Sequence, residues 1–593
     1  MSDRSPRTML LGGADRIALY AIPFSVTAVV FIPILFLLIT AFSDGSFKGA
    51  DTNFTLSTMI AAYGDPKLLK ALTNSLLMGV EVSLLSTLIA IPMAWVLVRA
   101  DVPFRRQFTR FMTLAFYMSP LFLAIAWAAI GAPRSGLLSQ TARALGFSGQ
   151  NLGNIYSYGG IIFVTTIHFV PISFLLISSA FTAAAGEMDD ASQMSRAGLV
   201  RTFRSITLPL ITPTIVSSLL QVGVFASEQF AVPYFLGIQF NFQTLPTQIY
   251  IDLSLSDPDY NRAAAGGTML LWFSAVGIYL FRRYMKMGDR YAAMAGKSAR
   301  MPRPVELGLW KWVAAGIIAF YLFLSVVAPI LALLWGSLRR FPTPELTLDG
   351  MSFYNWTAMF NNPQMVTAIK NTLVLAGLGG ICTVVVCLFI SFFIVRTKAK
   401  GRVVVDYVIA FPVAVPSIVL GLGVLAFYFS TPLPLYGTLF GLGLAYAMRY
   451  MGYGVRSINA GLQQVHSELT EAAYMSRASG AKVIRDIQFP LLRPTLANTW
   501  VVLFVKYAQE VNLTVLLYTQ ATVTMPLIIF NQLDSALLNA VYPVTLLLIG
   551  VTFLCIESIR LIPGYNTEMG HVTKRRRRGT TATPALKKEK AIG

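Results

Sequence analysis

Ionisable and amide side chains set inside long apolar runs are the groups in this sequence that can do chemistry. Glu81, Glu228, Lys506 and Glu510 lie in such runs, with Gln229, Gln509 and Asn512 close by. A charge at that depth is expensive and faces a bundle interior or a water-filled cavity. Glu81, Glu228, Gln229, Gln509 and Glu510 are therefore candidates for lining a pathway across a membrane. The plainer role is to tie helices together by interhelical hydrogen bonds. Lys506 and Glu510 are four apart, so on one helix they can pair with each other, which favours a structural salt bridge for those two. His168 has no His, Cys or carboxylate at ligand spacing; a satisfied histidine is expected there, with no metal site and no catalytic group.

The elements that carry these residues are membrane helices. The chain is 55% hydrophobic and 12% charged, whereas a soluble domain carries about 25% charged residues. A span needs about 20 mainly apolar residues, and runs of that kind fall at 17–42, 71–98, 108–131, 158–182, 208–236 and 265–284. Six more fall at 312–337, 369–395, 404–428, 435–458, 491–517 and 540–561. The expected fold is an all-α polytopic membrane protein of about twelve transmembrane helices in two homologous six-helix halves. The division is 1–285 for the first half, 286–310 for a basic linker, 311–565 for the second half and 566–593 for a basic tail.

Arg99, Arg105, Arg106 and Arg110 fall between spans two and three, and Arg196, Arg201 and Arg204 between four and five. The second half repeats this with Arg396, Lys398, Lys400 and Arg402, then Arg477, Lys482 and Arg485. By the positive-inside rule those loops and both termini face the cytoplasm. The net charge of +20 and the run Lys574 to Arg578 read as a tail against anionic lipid and not as a nucleic-acid site. Arg4, Arg7 and Arg16 precede the first run without a convincing cleavage site, so a retained first helix is expected. Cys382, Cys387 and Cys555 all sit in apolar runs without paired spacing, which suggests packing and neither a disulfide nor a metal site.

One stretch occurs twice. Asp190 to Pro213 and Glu471 to Pro494 share an acidic residue, two small residues, the tetrapeptide Met-Ser-Arg-Ala and two prolines that open an apolar run. The offset is constant at 281 residues, from 190 to 471, 196 to 477 and 209 to 490. Asn74 and Asn371, each followed by an apolar run ending in Arg99 or Arg396, match at an offset of 297. A repeat of this kind means two structural halves. Acidic residues at the front suit the positive end of a short helix, small ones let another surface come close, and Pro209 and Pro490 can start the next span at no hydrogen-bond cost. An amphipathic loop on the lipid surface is the bland reading; two copies fixed to Pro-started spans favour a docking lever.

The segment resembles the EAA loop of binding-protein-dependent ABC importer permeases. Glu471, Ala472, Ala473, Phe489 and Pro490 match that pattern directly, and Asp190, Ala191, Ser192, Leu208 and Pro209 match with conservative changes. The family's glycine falls on Arg196 and Arg477. Either the turn moves to Gly198 and Gly480, or no left-handed residue is needed, or the two arginines meet acids on a partner. Phe225 to Gly237 and Phe504 to Thr519 look like the matching spans of ferric-iron permeases. The resemblance implies a place in a bacterial inner membrane, coupling helices seated in two ATP-binding subunits, delivery by an extracytoplasmic binding protein, and an iron(III) species as cargo. A phosphonate, polyamine or thiamine-like cargo is the alternative. Gly296, Lys297 and Ser298 lack the earlier glycine of a phosphate loop, which would fall on Tyr291. No cofactor is therefore expected on this chain, and ATP would act through the partner. A secondary transporter is the first rival and leaves the paired segments without a role. A membrane enzyme would need clustered His, Asp or Glu, and the chain has three histidines in all.

Overall fold

The computed structural model describes residues 13–44, 53–147, 153–183, 198–294, 304–341, 346, 350–397, 399, 401–465, 486, 488–534 and 538–558. Within them the regular structure is helical, with three isolated bridges between extended residues. The first half runs through α1 (Gly13–Ala41), α2 (Ser57–Gly64), α3 (Pro66–Arg99), α4 (Arg105–Phe116), α5 (Pro120–Gly131) and α6 (Leu137–Ala144). It continues with α7 (Tyr158–Ala183), α8 (Leu208–Ser227), α9 (Ala231–Gly237), α10 (Leu245–Leu253) and α11 (Tyr260–Met294). The second half holds α12 (Trp310–Ser337), α13 (Tyr354–Asn361), α14 (Pro363–Arg396), α15 (Arg402–Ala410) and α16 (Ser417–Ser430). After these come α17 (Leu439–Gln464), α18 (Phe489–Ala508), α19 (Thr514–Leu517), α20 (Met525–Asp534) and α21 (Leu538–Ser558).

Among the described residues eight helices are long and apolar enough to cross a membrane, and ten if each bent pair counts as one span. The runs expected as spans at 435–458 and 491–517 hold helices α17 and α18, 26 and 20 residues long, which fall short of that apolarity. Arg449, Arg456, Arg493 and Lys506 make them less apolar. The linker expected at 286–310 begins as helix, because α11 runs on to Met294.

Both third spans are bent. α4 and α5 meet at 100°, and α15 and α16 at 112°. The residue before a proline is pushed out of the α region, and Ser119 before Pro120 has ψ 140 while Val415 before Pro416 has ψ 128. Each bent span also starts alike, on a left-handed residue 297 apart in sequence: Phe104 at φ 58 and Gly401 at φ 94. The fifth spans, expected as continuous at 208–236 and 491–517, are broken too. α8 stops at Ser227 and α18 at Ala508. Non-helical backbone at membrane depth is tolerated where protein buries it or a cavity is lined, so four such breaks mark the interior of the bundle.

The halves interlock through their first helices. α1 packs along α16 of the second half, and the later part of α12 packs on α5 of the first. Gly423 of α16 lies so close to the Pro33 carbonyl of α1 that a Cβ there would collide. Asn74 and Asn371 do equivalent work. Asn74 donates to the Gln243 carbonyl at 2.9 Å, and Asn371 to the Ala521 and Val523 carbonyls at 2.9 and 2.8 Å. Beside them Ser75 accepts from the Leu245 N–H and Thr372 from the Met525 N–H, at 2.8 and 2.9 Å. These bonds pin the loop after each fifth span to the start of each second span. The capped starts also match: Asp65 accepts from the Lys67 N–H and Asn362 from the Gln364 N–H.

Candidate functional site

The polar centre of the molecule is where the broken fifth span of one half meets the bent third span of the other. Glu228 is the C-cap of α8 and Gln509 the C-cap of α18, and they are 281 apart. A bend exposes carbonyls that have no intrahelical donor. In the second half those carbonyls are served by Arg449 of α17. Its Nη1 donates to the Val415 carbonyl at 2.7 Å and to that of Pro412, and its Nε donates to Ser417 Oγ at 3.0 Å. The remaining nitrogen, Nη2, lies 3.8 Å from a carboxylate oxygen of Glu228, with both side chains over nine-tenths buried. The other carboxylate oxygen of Glu228 accepts from Ser274 of α11 at 2.9 Å. A carboxylate is disfavoured at the negative end of a helix, and the arginine opposite offsets this.

The first bend is served by one of the pseudo-equivalent residues. Gln509 reaches across and donates to the Tyr117 carbonyl at 2.8 Å. His168, 281 before Arg449, lies against Phe169, and among the described residues its buried Nδ1 has no hydrogen-bond partner, unlike the satisfied histidine expected. Each fifth span therefore touches the opposite half at its third-span bend, through an ion pair on one side and an amide on the other.

Other residues expected from the sequence go elsewhere. Glu81 accepts from the Tyr158 hydroxyl at 2.7 Å within its own half, and Gln229 offers its carbonyl to Thr244 at 3.4 Å. The pairing of Lys506 with Glu510 is not formed. The helix stops at Ala508, so the two are not one turn apart; Glu510 instead accepts from the Leu513 N–H at 2.8 Å and from the Tyr450 hydroxyl. Lys506 lies over the Phe116 ring at 5.9 Å. Sequence reasoning misses Arg449 because a charge in the 435–458 run reads as an interruption; its correspondence with His168 at the repeat offset is the available signal. The glycines of the apolar runs divide: Gly423 is a close-packing position, whereas the Gly377 carbonyl, in a wider turn, accepts from Trp500 Nε1 at 3.2 Å.

Of the repeated segment, Asp190, Ala191, Ser192, Arg196, Glu471, Ala472, Ala473, Arg477 and Gly480 lie outside the described residues. Gly198 is exposed and is not left-handed. Pro209 and Pro490 fall in the first turns of α8 and α18, but Pro209 does not start its helix as expected: helix runs into α8 from Leu199 through a π turn at Phe203–Thr207, whose wider spacing accommodates the proline's missing N–H. The repeated segments thus lead directly into the two helices whose far ends meet the other half.

Residues 388–562 match the family described as "Binding-protein-dependent transport system inner membrane component". The chain is 27% identical over 520 residues to a ferric transport system permease protein FbpB of Actinobacillus pleuropneumoniae, covering 85% of this chain and 72% of that one. It is 28% identical over 497 residues to a putative ferric transport system permease protein of Haemophilus influenzae, covering 83% and 76%. A shorter likeness, 25% over 151 residues, covering 26% of this chain and 57% of the relative, links it to a putative 2-aminoethylphosphonate transport permease of Salmonella paratyphi A.

Proposed function

We propose that the chain is a multi-pass inner-membrane permease of the binding-protein-dependent ABC importer type, a reading supported by the family match and the ferric-permease relatives, and that it moves an iron(III) species inward. An extracytoplasmic binding protein delivers the cargo, and two copies of a separate ATP-binding subunit drive the step. Among residues of this chain, the lever is Asp190, Ala191, Ser192, Arg196, Gly198 and Pro209 in one half. Glu471, Ala472, Ala473, Arg477, Gly480 and Pro490 form it in the other. The observation that carries the reading is the continuity of these segments with α8 and α18, whose broken ends touch the opposite half. Closure of the ATP-binding subunits draws the two segments together, and rigid-body rocking of the halves alternates access to the pathway. Both termini and both segments face the cytoplasm in this scheme, and nucleotide is hydrolysed on the partner. The iron assignment comes from the relatives that align over most of the chain, and the phosphonate relative keeps a small organic anion as second choice.

Uptake of radiolabelled iron(III) into vesicles holding the permease, its ATP-binding subunits and its binding protein tests this. ATP-dependent iron accumulation supports it; accumulation of a phosphonate with no iron overturns the cargo.

A further inference from the structure

We propose that Glu228 and Arg449 are the separable latch of the pathway, an ion pair that closes the bundle between the halves and parts when they rock. This rests on the transport reading above. Each partner keeps other bonds when the pair separates. Arg449 would still hold the Pro412 and Val415 carbonyls and Ser417, all in its own half. Glu228 would still accept from Ser274, also in its own half. Breaking a buried pair is costly when it strands a bare charge. Here each group keeps a hydrogen-bond partner in its own half, so what separation gives up at this place is the charge–charge interaction at 3.8 Å.

Both partners sit at breaks in the helical backbone. Glu228 caps a helix that stops mid-bundle, and Arg449 braces a span bent by 112°. Contrast Glu510, whose bonds to Tyr450 and the Leu513 N–H stay inside the second half and would travel with it. At the other bend the halves are joined by one neutral hydrogen bond, from Gln509 to the Tyr117 carbonyl. Away from the bends Arg110 pairs with Glu557 and the Tyr321 hydroxyl donates to the Ile167 carbonyl, so the ion pair is the link between opposite charges at the bends themselves. Its lever arm is α8, whose first turn, with Pro209, belongs to the repeated segment.

The test places Ser227→Cys, at a fully buried position one residue before Glu228 and packed on Gly79 of α3, in the full chain with Cys382→Ser. A membrane-impermeant maleimide then labels intact vesicles. Buried Cys387, in α14, reports unfolding. Adding Glu228→Gln should raise labelling of Ser227→Cys by roughly tenfold with Cys387 still unlabelled. If Glu228→Gln fails to fold, Glu228→Asp, which keeps the charge and shortens the reach, carries the same expectation. Unchanged labelling at Ser227→Cys overturns the latch, and so does equal acceleration at Cys387, which would make the pair a mere fold restraint. The readout needs no cargo, so absent iron uptake with accelerated labelling would sink the cargo assignment and leave the latch standing.

Discussion

The two third-span bends are the same backbone device with different chemistry on it. At the second bend an arginine holds two carbonyls and a serine and meets a carboxylate from the other half. At the first, Gln509 does the equivalent work with a neutral amide, and His168 stands at the position of the arginine. The duplicated scaffold keeps its prolines, its left-handed helix starts and its asparagine pins, while the polar residues at the crossing have diverged. Backbone geometry is constrained by every neighbour, so it tolerates little drift. A polar link between halves need only satisfy the groups the bend exposes, and either an ion pair or an amide does so.

Variants at the two bends put that contrast to the test. Removing the arginine matters most. Arg449→Met strips three bonds from the second bend and leaves Glu228 without its ion pair, so a loss of about 3–5 kcal/mol is expected in denaturant unfolding. Gln509→Leu at the first bend removes one neutral bond, and about 1 kcal/mol is expected by the same measurement. Comparable losses from the two would mean that the bends are energetically alike, against the account. Next come the pins. Asn371→Ala removes two bonds and Asn74→Ala one, so Asn371→Ala should lower Tm more, by a margin worth about 1 kcal/mol.

The least change is expected at Asp252 in α10, outside the spans. Burial pushes its carboxyl above the ordinary carboxylate range, against the Gln248 bond and Arg262, which pull it down. A raised folded pKa stabilises the fold at pH below the unfolded value and loses that contribution as pH rises through the folded one. Asp252→Asn should therefore be neutral to slightly stabilising at pH 7, and should flatten the fall in Tm as pH rises through the carboxylate range. A clear drop in Tm at pH 7 would show that the charge is needed.

Much of this is legible in the residues. The constant offsets of 281 and 297 identify two halves, and Asn74 and Asn371 prove to be matched pins. Apolar runs locate the helices because burial in lipid demands them. The breaks are harder to read. A run such as 491–517 is mainly apolar from end to end, and nothing in its hydropathy says that the helix stops at Ala508. That stop is why the spacing of Lys506 and Glu510 misleads: a four-residue interval joins two side chains only on an intact helix. The meeting of the halves is not legible either, since an internal repeat says which positions correspond and not which faces touch.

In this account a separate motor works the permease through its two repeated segments. ATP-driven uptake by the reconstituted importer, compared between the wild-type chain and Glu471→Lys or Asp190→Lys, tests that most directly. Either substitution is predicted to abolish uptake and substrate-stimulated hydrolysis while the permease remains folded and in the membrane. Uptake that continues undiminished in both variants, or that proceeds without any ATP-binding subunit, would contradict it.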